Sequence, residues 1–241
     1  MGETHAGLVV WDVDGTLIPA DLRWLRRAVA GTYQLDESAV VFPTSRVHGY
    51  TDESIVIDTA IASGVTEEAA EDGLNHYPDV LMDVMSRGEA ELVRDQAAYP
   101  GAARTIAALA EHGYIQTALT GNLKVSAAFK LAVTGLDSQL DLDIGAFGSD
   151  ARDRFGLPAF VADRYEARFG YPLDPARTVI IGDAPNDIAT ARHADFGVVA
   201  VAHRLTSEEL AEHSPDAIVD RLDPDTVLKA IHATMRSRAD Q

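Results

Sequence analysis

The chain has 241 residues and a formal net charge of −18, because 38 acidic residues outnumber 20 lysines and arginines. This charge argues against nonspecific nucleic-acid binding, which needs basic patches. The chain has no cysteine, which excludes disulfides and thiolate metal sites, and no apolar stretch that approaches the roughly 20 residues of a membrane span. The first apolar run begins at Leu8 and leaves no room for a signal peptide, so we expect a cytoplasmic globular protein.

An apolar run at residues 8–11 is followed by two alternating carboxylates, Asp12 and Asp14, and then by Gly15. Such a run, bounded by acid and glycine, predicts a strand buried in a parallel sheet. Open α/β sheets bind ligands at the carboxyl ends of their strands, where one carboxylate can attack or bind metal while the other moves a proton. A surface Asp-x-Asp-Gly turn is the alternative for this fragment alone.

Two further apolar runs end in oxygen-bearing or small residues and then enter segments with a helical pattern. They are residues 115–119, followed by Thr120-Gly121-Asn122, and residues 179–181, followed by Gly182-Asp183-Ala184-Pro185-Asn186-Asp187. In a parallel sheet the three strand ends converge on one edge. A hydroxyl, exposed amides and four carboxylates would then meet in one crevice, which favours a site for Mg²⁺ and a phosphoryl group.

Between the first strand and Pro100, the apolar spacing predicts helices rather than strands. Segments near 21–33, 52–62, 67–76 and 78–95 repeat apolar residues every three or four positions. After the turn signal at Pro100-Gly101, helix and strand patterns alternate to Val201, with a late strand at 217–219 and a terminal helix at 225–238. We therefore predict an α/β fold, a doubly wound, mostly parallel Rossmann-like sheet (1–18 and 99–241) with an inserted α-helical cap (19–98).

The three motifs together resemble those of the haloacid dehalogenase (HAD) superfamily, in order and in spacing. Residues 12–16 resemble its DxDGT motif, Thr120 its second motif, and residues 182–187 its GDxxxD motif. The helical insert resembles a C1 cap. Within the superfamily the chain looks most like the phosphoglycolate phosphatase and β-phosphoglucomutase-like branch, whose Gly-x-Thr-Asp segment resembles residues 49–52.

This resemblance implies a Mg²⁺-dependent phosphatase that hydrolyses a small phosphorylated metabolite. Asp12 would attack phosphorus and form an aspartyl-phosphate, and Asp14 would act as general acid and base. Mg²⁺ would be held by Asp12, the main-chain carbonyl of Asp14, Asp183 and Asp187. A phosphomutase of the β-phosphoglucomutase type and a non-enzymatic phosphate-binding protein on the same scaffold remain the alternatives, and the oligomeric state is left open.

The resemblance also implies how the substrate is bound. The Thr120 hydroxyl and the backbone N–H groups of Gly121 and Asn122 would hold phosphoryl oxygens. Arg46 or His48 would contact the leaving group, although the neighbouring Thr51 is also an ordinary start of a helix.

The cation that relatives supply from a Gly-Lys-Pro segment has no direct counterpart in this chain. We predict that Arg154 replaces it, because Arg154 lies between the second and fourth motifs and its forked donors suit phosphate oxygens. Lys130 is the rival, and it reads equally well as a solvent-facing helix lysine. On a straight helix Lys130 would lie about 15 Å beyond Thr120, a distance that a lysine side chain recovers only in part.

Overall fold

The computed structural model describes residues 5–43 and 50–239, which contain one six-stranded parallel sheet in the order β3-β2-β1-β4-β5-β6. Its strands are β1 (Gly7–Trp11), β2 (Tyr114–Thr120), β3 (Ala146–Phe147), β4 (Thr178–Gly182), β5 (Gly197–Val201) and β6 (Ala217–Val219). The strands at 115–119, 179–181 and 217–219 were all expected from the sequence. The predicted fold class is therefore confirmed.

The helices of the described residues surround this sheet or lie in the segment between β1 and Pro100. They are α1 (Arg23–Tyr33), α2 (Asp52–Ala62), α3 (Glu67–Gly73), α4 (Tyr77–Arg87), α5 (Glu89–Asp95), α6 (Ala102–Glu111), α7 (Lys124–Val133), α8 (Leu157–Phe169), α9 (Pro185–His193), α10 (Ser207–Ala211) and α11 (Pro224–Ala239). None of them is long and apolar enough to cross a membrane.

Both faces of the sheet are buried, which explains why strands such as β1 and β5 are apolar without alternation. Along β1, Val9 and Trp11 pack in one cluster with side chains of α6 and α11, whereas Leu8 and Val10 pack in a second cluster with side chains of α8 and α9. Successive side chains of a strand point to opposite faces. One strand therefore contributes to two cores, and helices cover the sheet on both sides.

The segment between β1 and α6 forms α1 to α5 and a short 3₁₀ helix, Glu37–Ala39, and has no strand of the sheet in its described residues. We call its part from α1 to α5 the helical insert. The expected helix at 78–95 divides at Gly88 into α4 and α5. Trp24, Val56, Tyr77 and Met85 form part of a separate apolar core, to which Leu123 contributes from the sheet domain. The domain boundaries at 18/19 and 98/99 stay a prediction.

The order of the strands places three chain segments at one edge of the sheet. The strands β2, β1 and β4 are direct neighbours, and all three run in the same direction. Their carboxyl ends, at Thr120, Trp11 and Gly182, therefore lie side by side. This is the convergence that the sequence predicted for a ligand site.

Candidate active site

Three buried aspartates form the centre of the site at this edge. Asp12 follows β1, Asp183 follows β4, and Asp187 lies in the first turn of α9; one oxygen of each lies within 4.8 Å of the others. Burial and the neighbouring Asp187 carboxylate raise the pKa of Asp12 well above its usual range. The same two causes raise the pKa of Asp183 to about 7. The cluster is therefore short of positive charge.

Arg154 enters this cluster from a 3₁₀ helix, Arg154–Gly156, that follows β3. Its buried guanidinium donates from Nη2 to Asp12 Oδ1 over 3.0 Å and also to Asp187 Oδ1. The second oxygen of Asp187 accepts a hydrogen bond from the backbone of Ala184 over 2.9 Å. Asp187 thus has both oxygens engaged, and it orients the Arg154 side chain towards Asp12.

Asp14 has a different environment, which Lys130 and Asn122 provide. Lys130 Nζ donates to Asp14 Oδ2 over 2.5 Å and to Asn122 Oδ1 over 2.7 Å, and Asn122 Nδ2 donates to the same Asp14 oxygen over 2.8 Å. The other oxygen, Asp14 Oδ1, is buried and accepts no hydrogen bond within the described part of the chain. One oxygen of this carboxyl group is therefore held in place, and the other has no hydrogen-bond partner among the described residues.

The expectation that Lys130 lies too far from the site or faces solvent is wrong. The side chain is 5% exposed and reaches the carboxylate after β1. The expected separation of about 15 Å assumed a straight helix that starts at Thr120. In the structure α7 begins only at Lys124 and packs beside α4 and α5 of the helical insert. Its side chain needs to reach Asp14 on the neighbouring strand end and not Thr120.

Thr120 is buried at the end of β2, as the sequence predicted, and its Oγ1 accepts a hydrogen bond from Asn122 Nδ2 over 2.8 Å. Sequence reasoning gave no role to Thr16, whose hydroxyl lies 3.2 Å from Asp12 Oδ2 and 3.4 Å from Asp183 Oδ1. It also missed Arg204, which forms an ion pair with Asp183 Oδ2 at 3.3 Å. Thr16 belongs to the first motif and could have been found, whereas no motif marks Arg204.

Two glycines are required by close approaches at the site. Gly15 has φ +95°, and a Cβ atom there would lie 2.4 Å from Asp183 Oδ2. Gly121 lies against the helical insert, since a Cβ atom there would lie 1.9 Å from the carbonyl oxygen of Tyr50. A side chain at position 15 would therefore push the turn of the first motif away from Asp183. A side chain at position 121 would push the helical insert away from the loop after Thr120.

The helical insert is fixed to this loop by hydrogen bonds at the start of α2. The Asp52 backbone N–H donates to the Gly121 carbonyl over 2.6 Å, and Asp52 Oδ2 accepts from the Leu123 N–H over 3.1 Å. Thr51, which precedes α2, donates its hydroxyl to the Arg152 carbonyl over 2.7 Å. Arg46 and His48 lie outside the described residues, so their proposed contact with the leaving group stays a prediction.

A cavity lies above the aspartate cluster and extends into the helical insert. It encloses about 720 Å³ of space not filled by atoms, part of which is open solvent. The sheet side of its wall includes Asp12, Asp14, Thr120, Asn122, Lys130, Arg154, Asp183, Asp187 and Arg204; the insert side includes Trp24, Leu25, Asp52, Ile55, Tyr77, Leu81 and Met85. The residues that the motifs place at the strand ends therefore share one cavity.

The aspartate cluster fits a hard divalent cation. Its donors are all carboxylate oxygens, which Mg²⁺ prefers. Asp183 Oδ2 is buried and, apart from the ion pair with Arg204 at 3.3 Å, accepts no hydrogen bond from the residues that the structure describes. Burial, together with repulsion between the carboxylates, holds the pKa of Asp12 and Asp183 above the usual range, and a cation there would relieve the repulsion.

The fold and site define a hydrolase of the HAD type, and comparison with known proteins confirms this class. The model of the haloacid dehalogenase-like hydrolases matches residues 9–192, so the chain belongs to this family. It is 26% identical to the "Probable phosphatase IndB" of Dickeya dadantii, over 95% of each chain. It is 25% identical to the phosphoglycolate phosphatase of Mesorhizobium japonicum, over 91% of this chain and 93% of the relative.

A solved structure shows the same fold. The crystal structure of a "predicted phosphoglycolate phosphatase" from Haemophilus somnus superimposes with a TM-score of 0.63 at 21% identity, covering 95% of this chain and 99% of that one. The resemblance to the HAD superfamily that the three motifs indicated is therefore confirmed.

Proposed function

We propose that the protein is a phosphoric monoester hydrolase that releases phosphate from a small phosphorylated metabolite through an aspartyl-phosphate at Asp12. The observation that carries this proposal is the pair of environments around Asp12 and Asp14. Arg154 holds Asp12 in the cluster of acids, while Lys130 and Asn122 fix one oxygen of Asp14, and the other accepts no hydrogen bond from the described residues. The phosphatase relatives support the same reaction.

In the first half of the reaction, a carboxylate oxygen of Asp12 attacks phosphorus and the bond from phosphorus to the leaving oxygen breaks. Asp14 donates its proton to that oxygen, so the product leaves as an alcohol. Arg154 and the backbone N–H groups after Thr120 neutralise charge on the phosphoryl oxygens. We assign the attack to Asp12 and the proton transfer to Asp14, because Asp12 lies in the cluster of acids beside Arg154 and Asp14 does not.

In the second half, the Asp14 carboxylate takes a proton from water as the water oxygen attacks phosphorus. The bond between phosphorus and Asp12 then breaks, and inorganic phosphate leaves. Asp12, the Asp14 carbonyl, Asp183 and Asp187 would hold Mg²⁺, which supplies charge neutralisation for the transferring group. Lys130 and Asn122 keep Asp14 in place through both halves.

The test is phosphate release from a chromogenic aryl phosphate in the presence of Mg²⁺. We expect turnover by the wild-type protein, loss with EDTA and recovery when Mg²⁺ is added back. Asp12→Asn should lower turnover by at least about 10³-fold with the fold retained. The control is Asp143→Asn, which removes a carboxylate with a side chain 88% exposed. Near wild-type turnover of Asp12→Asn would contradict the mechanism, and isomerisation of a sugar phosphate without phosphate release would support a phosphomutase instead.

A further inference from the structure

We propose that the substrate is a phosphomonoester whose leaving group is uncharged and carries hydroxyl groups, and that Asp52 and Tyr77 of the helical insert select it. A leaving group with a carboxylate or a second phosphate is disfavoured. This inference rests on the proposed phosphatase function and specifies its substrate class.

The first argument is the distribution of cations around the cavity. Its described wall has three cationic side chains, Lys130, Arg154 and Arg204, and all three come from the sheet side. Each contacts a carboxylate of the site, at 2.5 Å for Lys130, 3.0 Å for Arg154 and 3.3 Å for Arg204. The part of the wall that binds the leaving group therefore has no free positive charge among the described residues.

The second argument is the carboxylate of Asp52. Asp52 lines the cavity and is fixed beside the Thr120 loop, because its backbone N–H donates to the Gly121 carbonyl and its carboxylate accepts from the Leu123 N–H. The structure gives it no ion pair within the described residues, and the nearby Lys130 is bonded to Asp14 and Asn122. Burial raises the pKa of Asp52 to about 6, although the nearby charge of Lys130 lowers it in part. At neutral pH the insert side of the cavity therefore carries a negative charge that no ion pair of the described residues neutralises.

The third argument is the hydroxyl group of Tyr77, at the start of α4. This side chain is 1% exposed and lines the same cavity, and its Oη has no hydrogen-bond partner within the described residues. Its neighbours along the wall, such as Leu81 and Met85, are apolar. A buried hydroxyl without a partner destabilises a protein unless a ligand supplies that partner.

Together these groups match a hydroxylated leaving group and reject an anionic one. The Asp52 carboxylate accepts hydrogen bonds from alcohol hydroxyls, and Tyr77 can donate to or accept from them. A leaving group with a carboxylate would instead lose its water beside Asp52, where like charges repel at low dielectric.

The experiment compares kcat/KM for two pairs of phosphate esters in which a hydroxymethyl group replaces a carboxylate. The pairs are 2-hydroxyethyl phosphate with 2-phosphoglycolate, and glycerol 3-phosphate with 3-phosphoglycerate. We expect the neutral ester of each pair to be preferred by at least about 10-fold. Asp52→Asn keeps the shape and an acceptor oxygen, and should narrow this preference by raising kcat/KM for the carboxylates.

Two further variants keep the test decisive. Glu68→Gln removes the same charge from an exposed position of α3 and should leave the preference unchanged. Tyr77→Phe should raise KM for the hydroxylated esters more than for an aryl phosphate, a difference that a purely structural role would not produce.

Equal or higher kcat/KM for the carboxylate esters would overturn the inference while leaving the phosphatase function intact. An unchanged preference in Asp52→Asn would overturn the role of Asp52. Failure to release phosphate from every ester, the aryl phosphate included, would contradict the proposed function and this inference with it.

Discussion

Lys130 Nζ lies 2.5 Å from Asp14 Oδ2, so the second aspartate of the first motif has a cation of its own. Arg154 is bonded to the first aspartate, Asp12, over 3.0 Å. The chain therefore does not choose between Lys130 and Arg154 as its one active-site cation. In the proposed mechanism one cation would serve the group that attacks phosphorus and the other the group that moves protons.

Replacement of Asp14 should separate proton transfer from attack on phosphorus. In Asp14→Asn, an aryl phosphate with a good leaving group should still phosphorylate Asp12, because such a leaving group needs little protonation. Hydrolysis of the aspartyl-phosphate should be slow, since no base activates water. Rapid quenching should therefore trap more phosphoenzyme in this variant than in the wild type. Equal losses for good and poor leaving groups, with no trapped intermediate, would count against the assignment.

The two cations should be distinguishable by the substrates that their removal affects. Arg154→Ala should lower turnover by about 10²-fold or more for good and poor leaving groups alike, the scale of losing one preorganised donor. Free guanidinium ion should restore part of this loss. Lys130→Ala should lower turnover mainly for poor leaving groups, because it loosens the proton donor Asp14. Steady-state kinetics with a series of aryl phosphates would measure, for each variant, how turnover depends on the quality of the leaving group. The same dependence in both variants would refute this division of roles between Arg154 and Lys130.

The sequence was sufficient to predict the parallel sheet, the helical insert and the convergence of three strand ends. Those features follow from apolar runs, helical spacing and the topology of parallel sheets, which are local or general. The partner of Lys130 could not be predicted, because it depends on how α7 packs against the insert. The position of Arg204 beside Asp183 depends on the turn after β5, for which the chain shows no recognisable signal.

Mg²⁺ should stabilise the protein measurably even without substrate. A cation that binds the folded state alone raises the melting temperature by mass action, and here it would also relieve the repulsion between Asp12 and Asp183. We expect the melting temperature in thermal-shift assays to rise with Mg²⁺ concentration in the wild type and in Asp143→Asn. Asp183→Asn should lose most of this response. A response of Asp183→Asn equal to that of the wild type would argue against the cluster as the metal site.

The raised pKa of Asp52 makes a prediction about stability that needs neither metal nor substrate. Its pKa is about 6 in the folded protein, against 3.8 for an unperturbed aspartate, with burial as the main cause. Between these values the folded state holds a proton that the unfolded chain releases, so the free energy of unfolding falls as the pH rises. The loss is complete above about pH 7, where the folded state must bury the charge.

Asp52→Asn has no such proton to lose and should therefore gain stability relative to the wild type as the pH rises. The difference should grow from about pH 4 to pH 7 and then level off, at about 3 kcal/mol by the usual conversion of a pKa difference into free energy. Urea denaturation in EDTA at pH 4.5, 5.5 and 7.5 would measure it. Glu68→Gln, which removes an exposed charge, serves as the control for charge removal alone. A difference that shrinks between pH 4.5 and 7.5 would show that Asp52 is stabilised as the carboxylate, and that the insert does not present a costly negative charge to the cavity.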